Sequence, residues 1–455
     1  MSWQDYLDQE QDRFIAELVD FVRIPSVSAK PDHMPEVQRA AEWVVARLKA
    51  AGIDNGRVMQ TAGQPVVYAD WLHAGADKPT IMLYGHFDVQ PAEPFELWET
   101  PPFEPAIRDG RLYGRGASDD KAGMLTPILA VEALLKTEGK LPVNVKFFFE
   151  GQEEIGSPDL PVFVRENADL LKSDMIFSAD GLQWGPDQPM IVEALKGMLS
   201  FEVVVKGPLT DQHSGLHGGG IANPALGLAQ LLASMKSTDG TILVEGFYDD
   251  VIDLDAETRA AIAEVPYDEA EYLAETGAIA TQGEPGYTVR ERISGRPTMD
   301  VNGLTSGYQG AGTKTVLPAE ALAKITCRLV ANQSPEAIRA AFEAHIAKYT
   351  PPGLVAELRP THGRADPFLM PAGHNGSAVA AQVLREVYGK EPYITRAGGS
   401  IPVMTTLLQE LGVHAVMFGW SLGDENLHAP NEFARLDGFA RGQTAYVKLL
   451  KRLGA

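Results

Sequence analysis

The 455-residue sequence contains a single cysteine, Cys327, and no apolar run that is long enough to span a membrane. One cysteine excludes a disulfide within the chain, and such sparing use is typical of proteins from reducing compartments. Residues 1–13 are polar and acidic, and they lack the apolar stretch and small-residue cleavage site of a secretory signal. These absences predict a cytoplasmic protein with no membrane partner.

Basic residues are also scarce in this chain. The 39 Lys and Arg residues face 61 Asp and Glu residues, which gives a formal charge of −22. A strongly anionic protein is repelled by nucleic acids and by anionic membranes, so the charge balance argues against both as partners. The remaining composition, with 45% hydrophobic and 22% charged residues, is that of a globular protein.

The length favours two domains, and the hydrophobic pattern changes character along the chain. Apolar strand-like runs at 80–84 and 143–149 flank a helical pattern at 119–137, which is typical of a parallel sheet covered by helices. Residues 198–207 and 323–330 instead alternate apolar and polar side chains, as half-buried strands do. We therefore predict an α/β domain with a mixed, largely parallel sheet, and an inserted α+β domain. The first comprises residues 1–196 and 368–455, and the second comprises residues 197–367.

Acidic and imidazole side chains follow several of the predicted strands. The carboxyl ends of parallel strands meet at one edge of a sheet, so these side chains are expected to lie close together. Each one alone has an ordinary explanation, such as a helix N-cap, a solvated turn or a hydrogen-bonded loop histidine. Their coincidence at one edge, without any cysteine, indicates a hydrolytic metal centre rather than a structural zinc site. The residues are His86, Asp88, Asp119, Asp120, Glu153, Glu154, Asp180 and His428.

This set of residues suits hydrolysis by two metal ions. One carboxylate bridges two divalent ions roughly 3.5 Å apart, and a water molecule between them becomes acidic. Another carboxylate must stay off the metals to take the proton of that water and pass it to the leaving nitrogen. The adjacent glutamates Glu153 and Glu154 suit these two roles because neighbouring side chains can point in different directions. Mixed histidine and carboxylate ligands favour zinc, with manganese or cobalt as possible substitutes.

Long motifs in this chain resemble the co-catalytic dizinc peptidases. This family includes carnosinase-type dipeptidases, glutamate carboxypeptidases, acetylornithine deacetylase and succinyl-diaminopimelate desuccinylase. The motifs are HFDVQP at 86–91, WETPPFEP at 98–105, DGRLYGRGASDDK at 109–121 and GQEEIGS at 151–157. Two further motifs, NGLTSGYQGAGTKTVLPAEA at 302–321 and GGSIPV at 398–403, are similar to the carnosinase-type branch in particular.

The resemblance implies a role for each residue at the predicted sheet edge. Asp119 would bridge two ions, with a cis peptide bond to Asp120. Glu153 would be the general base, and Asp88 would orient a ligand histidine. The remaining ligands would be His86 and Asp180 for one ion, and Glu154 and His428 for the other.

The resemblance also gives the inserted domain a role as a lid through which two subunits form a homodimer. His213 would reach the active site of the partner subunit and stabilise the tetrahedral oxyanion. Arg328 lies on the polar face of a predicted strand, where its guanidinium can grip a substrate carboxylate. The further candidate substrate contacts are Thr315, Ser400, Asn302 and His362.

Taken together, these features predict a metal-dependent hydrolase that cleaves dipeptides or short peptides with a free C-terminus. An N-acyl amino-acid deacylase would use the same metals and the same Glu153, and spacing does not separate the two. A non-catalytic peptide-binding scaffold is a third possibility, but every expected catalytic position is filled. A purely structural role would leave the convergent loops unexplained.

Overall fold

The computed structural model describes the backbone of residues 1–455 and every side chain except that of His362. The chain forms two compact units. The first comprises Met1–Val192, Met370–Ile394 and Pro402–Ala455, and the second comprises Glu193–Leu369 and Thr395–Ile401.

The helices include long amphipathic ones and short connecting ones. They are α1 Trp3–Val22, α2 Met34–Ala50, α3 Ala122–Glu138, α4 Leu160–Glu166, α5 Ala168–Leu171, α6 Ser214–His217, α7 Pro224–Met235, α8 Ala256–Glu264, α9 Glu269–Thr276, α10 Val289–Gly295, α11 Pro335–Tyr349, α12 Asn375–Tyr388, α13 Pro402–Leu411 and α14 Leu436–Leu453. Within the described chain, none of them combines the length and the apolar character that crossing a bilayer requires.

The strands are distributed over both units. They are β1 Arg57–Met59, β2 Val66–Trp71, β3 Thr80–His86, β4 Ala106–Arg108, β5 Arg111–Tyr113, β6 Asn144–Glu150, β7 Met175–Ser178, β8 Leu182–Gln183, β9 Met190–Leu195, β10 Gly197–Lys206, β11 Gln212–His213, β12 Thr298–Ser306, β13 Val316–Leu317, β14 Glu320–Leu329, β15 Val355–Ala365, β16 Phe368–Leu369, β17 Tyr393–Ala397, β18 Ala415–Met417, β19 Ser421–Leu422 and β20 Phe433–Arg435.

The first unit is built on a six-stranded sheet with the order β1-β2-β6-β3-β7-β18. The strands β6, β3, β7 and β18 are parallel, and β1 and β2 add an antiparallel edge. All seven residues of β6 are buried, as expected for a central strand that is covered on both faces. The predicted mixed, largely parallel sheet is confirmed. Its register places His86, the last residue of β3, opposite Glu150, the last residue of β6.

One predicted helix begins later than its sequence pattern suggests. The helical pattern from residue 119 becomes the helix α3 only at Ala122. Asp119 and Asp120 have non-helical backbone angles, and the peptide bond between them is cis, as the resemblance implied. Asp119 therefore lies in a turn before the helix rather than in its first turn.

The second unit contains a four-stranded antiparallel sheet with the order β12-β14-β10-β15. One face of the sheet is apolar and packs against α7 and α11, with Phe201, Cys327 and Phe342 buried in its core. Side chains on β14 alternate between buried and partly exposed positions, as the sequence pattern predicted. Arg328 lies on the partly exposed side, opposite Met198 of β10 and Thr298 of β12.

Candidate metal centre

Five separate segments of the first unit bring the predicted ligands together. His86 ends β3, and Asp180 follows β7, which is hydrogen-bonded to β3 in parallel. Glu154 lies in a short turn after β6, and Asp119 lies in the turn before α3. His428 belongs to an irregular loop after β19 and adopts a left-handed backbone conformation with a φ of 60°. The carboxyl ends of parallel strands thus supply part of the centre, as the sheet geometry requires.

Asp119 lies at the middle of the cluster, because its two oxygens face different histidines. Its Oδ1 atom is 3.1 Å from Nε2 of His86, and its Oδ2 atom is 3.1 Å from Nε2 of His428. The His86 ring is fully buried, whereas the His428 side chain is 55% exposed. A carboxylate in this position can contact two ions at once, one on the buried side and one on the open side.

The potential ligand atoms form two groups that share Asp119. One group contains His86, Asp119 and Asp180, and the other contains Asp119, Glu154 and His428. Within each group, the potential ligand atoms all lie within 4.8 Å of one another. The two groups match the two sets of ligands that the resemblance implied.

The donor set fits divalent cations. Four carboxylates, those of Asp119, Glu153, Glu154 and Asp180, crowd around two imidazoles with no lysine or arginine among the ligand groups. Such a concentration of negative charge in a largely buried site requires compensating positive charge. Histidine nitrogen and carboxylate oxygen are ordinary ligands of zinc and related divalent metals.

The carboxylates strongly perturb the two histidines. At His86, burial lowers the pKa of the ring, but its contacts with Asp119 and Asp88 raise that pKa well above the ordinary value. At His428, hydrogen bonds to Asp119 and Glu154 raise the pKa to about 10. Without a metal, both rings therefore tend to be protonated. These protons supply the positive charge that a metal cation would otherwise provide.

The surrounding carboxyl groups show the same crowding. Burial, reinforced by the charge of Asp119, raises the pKa of Asp180 to about 7. Burial also raises the pKa of Glu153 well above its ordinary value, and the charges of Asp180 and Glu154 add to that effect. Cations at the two ligand groups would reverse this effect and favour ionised carboxylates.

Asp88 positions the Glu153–Glu154 turn in addition to its expected contact with His86. Its Oδ1 and Oδ2 atoms accept the backbone N–H groups of Glu153 and Glu154, each at 3.1 Å. Its backbone oxygen is 3.1 Å from Nδ1 of His86, and its Oδ1 atom is 3.4 Å from the same nitrogen. Among the described residues, none donates a hydrogen bond to the Glu153 carboxylate. This carboxylate is thus held in place through its backbone and is available for proton transfer.

The contacts of two further residues were not predicted from the sequence. Gln90 was not a candidate at all, and Asp120 had a predicted role only in the cis peptide bond with Asp119. Gln90 donates from its backbone N–H to Oε1 of Glu154 at 3.1 Å and from its side-chain amide to Oε2 at 2.9 Å, so both oxygens of this ligand are fixed. Asp120 is buried behind His86 and accepts that residue's backbone N–H at 3.3 Å. The signal for Gln90 is its position two residues beyond Asp88, on the same side of an extended segment.

His213 and Thr315 lie together in the second unit. The short strands β11 and β13 pair so that His213 is opposite Val316, and the backbone oxygen of Thr315 accepts the N–H of Ser214 at 3.0 Å. Nδ1 of His213 accepts the backbone N–H of Gly215 at 3.0 Å. In the neutral ring the proton is therefore on Nε2, and this exposed nitrogen is a hydrogen-bond donor.

Arg328 and Ser400 also lie together in the second unit. Nη1 of the arginine donates to Oγ of the serine at 3.1 Å. Asn302 accepts a hydrogen bond from the hydroxyl of Thr326 at 2.5 Å, on the neighbouring strand. The side chain of His362 lies outside the described part of the structure.

Comparisons with known proteins give the family. The model of peptidase family M20/M25/M40 matches residues 82–452. The chain belongs to this family. The resemblance seen in its motifs is confirmed, and the protein is a metallopeptidase that binds divalent metal.

Similar members of the family cover nearly the whole chain. The chain is 31% identical to the Cys-Gly metallodipeptidase dug1 of Schizosaccharomyces pombe, over 96% of this chain and 95% of that protein. It is also 31% identical to the Beta-Ala-His dipeptidase of Homo sapiens, over 94% of this chain and 87% of that one. Among solved structures, the M20 family metallo-carboxypeptidase Sso-CP2 from Sulfolobus solfataricus superposes with a TM-score of 0.82. It is 30% identical and covers 97% of this chain and 99% of its own.

Proposed function

We propose that this member of the M20/M25/M40 family hydrolyses the amide bond of dipeptides or short peptides with a free C-terminus. The observation that carries the proposal is the pair of ligand groups that share Asp119, beside the unshared carboxylate of Glu153. We assign two divalent ions to each subunit, zinc first, with manganese or cobalt as substitutes, because the ligands are histidine and carboxylate without cysteine.

The chain's own residues divide the chemistry between them. Held by Asp119 with His86 and Asp180, and by Asp119 with Glu154 and His428, divalent ions would lower the pKa of water and polarise the scissile carbonyl. Glu153 accepts a proton from the attacking water and delivers it to the leaving nitrogen. Asp88 holds Glu153 at its backbone, and Gln90 holds Glu154, so that proton acceptor and ligand keep a fixed separation.

Arg328 is assigned to the C-terminal carboxylate of the substrate. A guanidinium presents parallel N–H donors that match a carboxylate, and this one is only partly buried, on the polar side of a rigid sheet. Ser400 already accepts from Arg328 and would extend the same site. Asn302 and Thr315, which lie in the motif at 302–321, are assigned as further substrate contacts, and so is His362.

His213 is assigned to stabilising the oxyanion in the active site of a partner subunit. Nδ1 accepts the backbone N–H of Gly215, so in the neutral ring Nε2 carries the proton and can donate it to the oxyanion. A homodimer through the second unit, acting as the lid, is supported by large apolar side chains that are exposed on the same segment of that unit. These are Leu209, Leu216 and Leu226, with exposures of 101%, 76% and 64%.

Dipeptides are favoured as substrates because both similar enzymes are named for them, one for Cys-Gly and one for β-Ala-His. A reducing, cytoplasmic compartment is favoured by the lone Cys327, which is buried in the core of the second unit and unpaired. An N-acyl amino-acid deacylase remains the alternative, because it would use the same first-unit residues and differ only in the group that lies on the acyl side of the bond.

A substrate panel tests the proposal. Metal-stripped protein, reloaded with zinc or manganese, is assayed on dipeptides and on matched N-acetyl and N-succinyl amino acids. Cleavage of the dipeptides alone, dependent on metal, is the expected result. Cleavage of the acylated amino acids alone would transfer the protein to the deacylase function. Failure to cleave either class, with metal bound, would contradict an enzymatic function.

A further inference from the structure

The turn that presents Asp119 is held by a carboxylate from a distant part of the chain. Both oxygens of Glu432 accept backbone N–H groups of this turn. Oε2 accepts Gly116 at 2.9 Å, and Oε1 accepts Ser118 at 3.0 Å and Asp119 at 3.1 Å. The turn has an irregular, partly non-helical backbone, so these donors depend on a side chain for a partner.

A buried ion pair with Arg115 supplies the remaining hydrogen-bond donor to the Glu432 carboxylate. Nη1 of Arg115 donates to Oε2 of Glu432 at 2.8 Å, and both side chains are 1% exposed. Burying two charges costs desolvation free energy that the pair regains only when further hydrogen bonds satisfy it. Here the further bonds are the three backbone donors of the turn. The arrangement thus fixes the geometry of the Asp119 turn, which a purely apolar contact could not do.

Glu432 also belongs to the segment that supplies the second histidine. It follows His428 by four residues, and its own backbone oxygen accepts the N–H of Gly114 at 2.9 Å. The next residue, Phe433, begins strand β20, which pairs in register with Tyr113 of β5. One buried carboxylate therefore connects Asp119 to the chain segment that carries His428, and both residues belong to the more open ligand group.

Hydrogen bonds of Ser118 and Arg115 connect the Asp119 turn to further segments of the first unit. Ser118 donates from its hydroxyl to Glu425, and its backbone oxygen accepts the hydroxyl of Ser421 at 2.9 Å. Arg115 donates to the backbone oxygen of Pro91 at 3.3 Å, one residue after the Gln90 that holds Glu154. Asp119 is thus hydrogen-bonded directly to Glu432, and Glu154 is connected to Arg115 through Gln90 and Pro91. His428 lies four residues before Glu432 on the same segment.

We infer that Glu432 is a positioning residue of the metal centre: it sets the orientation of Asp119 relative to His428 and thereby the affinity of the more open metal site. The inference rests on the proposed function to the extent that Asp119 and His428 hold a divalent ion. It adds a residue to which neither the motif resemblance nor the ligand geometry gave a role.

The substitution Glu432→Gln tests the inference with little change in size. In either orientation the amide places an NH₂ group against donors, so it opposes either Ser118 and Asp119 or Arg115 and Gly116. We expect metal to bind about 10-fold or more weakly, because outer contacts of metal ligands typically contribute that much. At saturating metal, we expect kcat to fall with little change in KM.

A matched control separates positioning from stability. Glu132 is a buried carboxylate of the same unit. It accepts a hydrogen bond from the Tyr6 hydroxyl at 2.6 Å and forms ion pairs with Arg13 and Arg47, but it contacts none of the candidate ligands. Glu132→Gln is expected to lower the thermal unfolding temperature and to leave zinc affinity unchanged. Zinc affinity is measured by titration of metal-free protein at a temperature where all variants are folded.

The outcomes distinguish this inference from the proposed function. Wild-type protein that binds no zinc and cleaves no dipeptide would refute the proposed function. Wild-type protein that binds zinc, with a Glu432→Gln variant of equal affinity, would overturn the positioning role alone. If Glu432→Gln does not fold, Arg115→Lys decides the question: weaker zinc binding supports the role, and wild-type affinity overturns it.

Discussion

The carboxylate of Asp88 accepts the backbone N–H of Glu153 at 3.1 Å. The same carboxylate accepts the N–H of Glu154, so a single side chain fixes the turn from which one glutamate joins a ligand group and the other remains outside both groups. This division matches the requirement that a proton acceptor stay off the metal. It provides the physical basis for separating metal binding from turnover by mutation.

Glu153→Gln should remove most turnover while leaving metal content intact. Glutamine has nearly the same size but cannot accept the proton, so we expect kcat to fall about 10³-fold. Metal content per subunit and kcat on a dipeptide are the two measurements. Glu166→Gln, at an exposed position of the same unit, is the matched control. Full activity in Glu153→Gln would refute the base assignment.

His213→Ala should cripple catalysis with only a modest change in KM, since an oxyanion donor acts mainly in the transition state. A mixture with Glu153→Gln tests whether this histidine acts across a dimer. Each variant alone lacks one component of every site, but a mixed dimer has one complete site if His213 acts in the partner.

With random subunit exchange, the mixture should recover about a quarter of wild-type activity, because half the dimers are mixed and each has one complete site. Activity is assayed before and after exchange, and size measurement verifies the dimer. A mixture as inactive as its components, despite demonstrated exchange, would place His213 in the site of its own subunit or in none.

Arg328→Met should weaken the use of substrates that carry a C-terminal carboxylate. Losing a charged, bidentate contact is expected to lower kcat/KM about 100-fold. The matched dipeptide amide, which has no carboxylate, should be cleaved equally by the variant and the wild type. Arg339→Met, at an exposed position on α11, controls for the loss of charge from the second unit. Equal losses on acid and amide would contradict the assignment.

Metal binding should release protons and weaken as the pH falls. The pKa of His428 is raised to about 10 by its hydrogen bonds to Asp119 and Glu154, so the ring is protonated at neutral pH without metal. A metal ion requires the neutral ring, and protons therefore compete with it at every pH below that value. We expect affinity to rise about tenfold per pH unit for each proton displaced, between about pH 6 and 9. Calorimetry in buffers of different ionisation enthalpy measures the release, and pH-independent affinity would contradict this account.

The clustering of the candidate ligands could be predicted from the sequence because each one follows a predicted strand or begins a predicted helix, whereas their division into two groups was implied only by the family resemblance. His86 ends β3 and Asp180 follows β7, the parallel neighbour of β3, so the sheet geometry brings them close together. The contacts that orient the ligands could not be predicted in this way. Glu432 accepts hydrogen bonds from backbone N–H groups, and Gln90 donates to the carboxylate of Glu154. Such contacts depend on the path of irregular segments.

The start of α3 could not be predicted from the sequence pattern either. The helical pattern continues back to Asp119 in the sequence, but the backbone at Asp119 and Asp120 is not helical. The N–H of Asp119 is instead accepted by Glu432, from a distant part of the chain. In the second unit, the alternation of β14 predicted the face of Arg328. The ribbon that pairs His213 with Val316 joins segments about a hundred residues apart, and each strand is only two residues long. Strands of that length leave no periodic signal.

We propose that two divalent ions, held by the ligand groups that share Asp119, support peptide hydrolysis. The most direct measurement is the titration of metal-free protein with zinc while cleavage of a dipeptide and bound metal are followed together. We expect no activity without metal, and activity that rises until about two ions are bound per subunit. Full activity in the metal-free protein, or maximal activity with one ion bound, would contradict it.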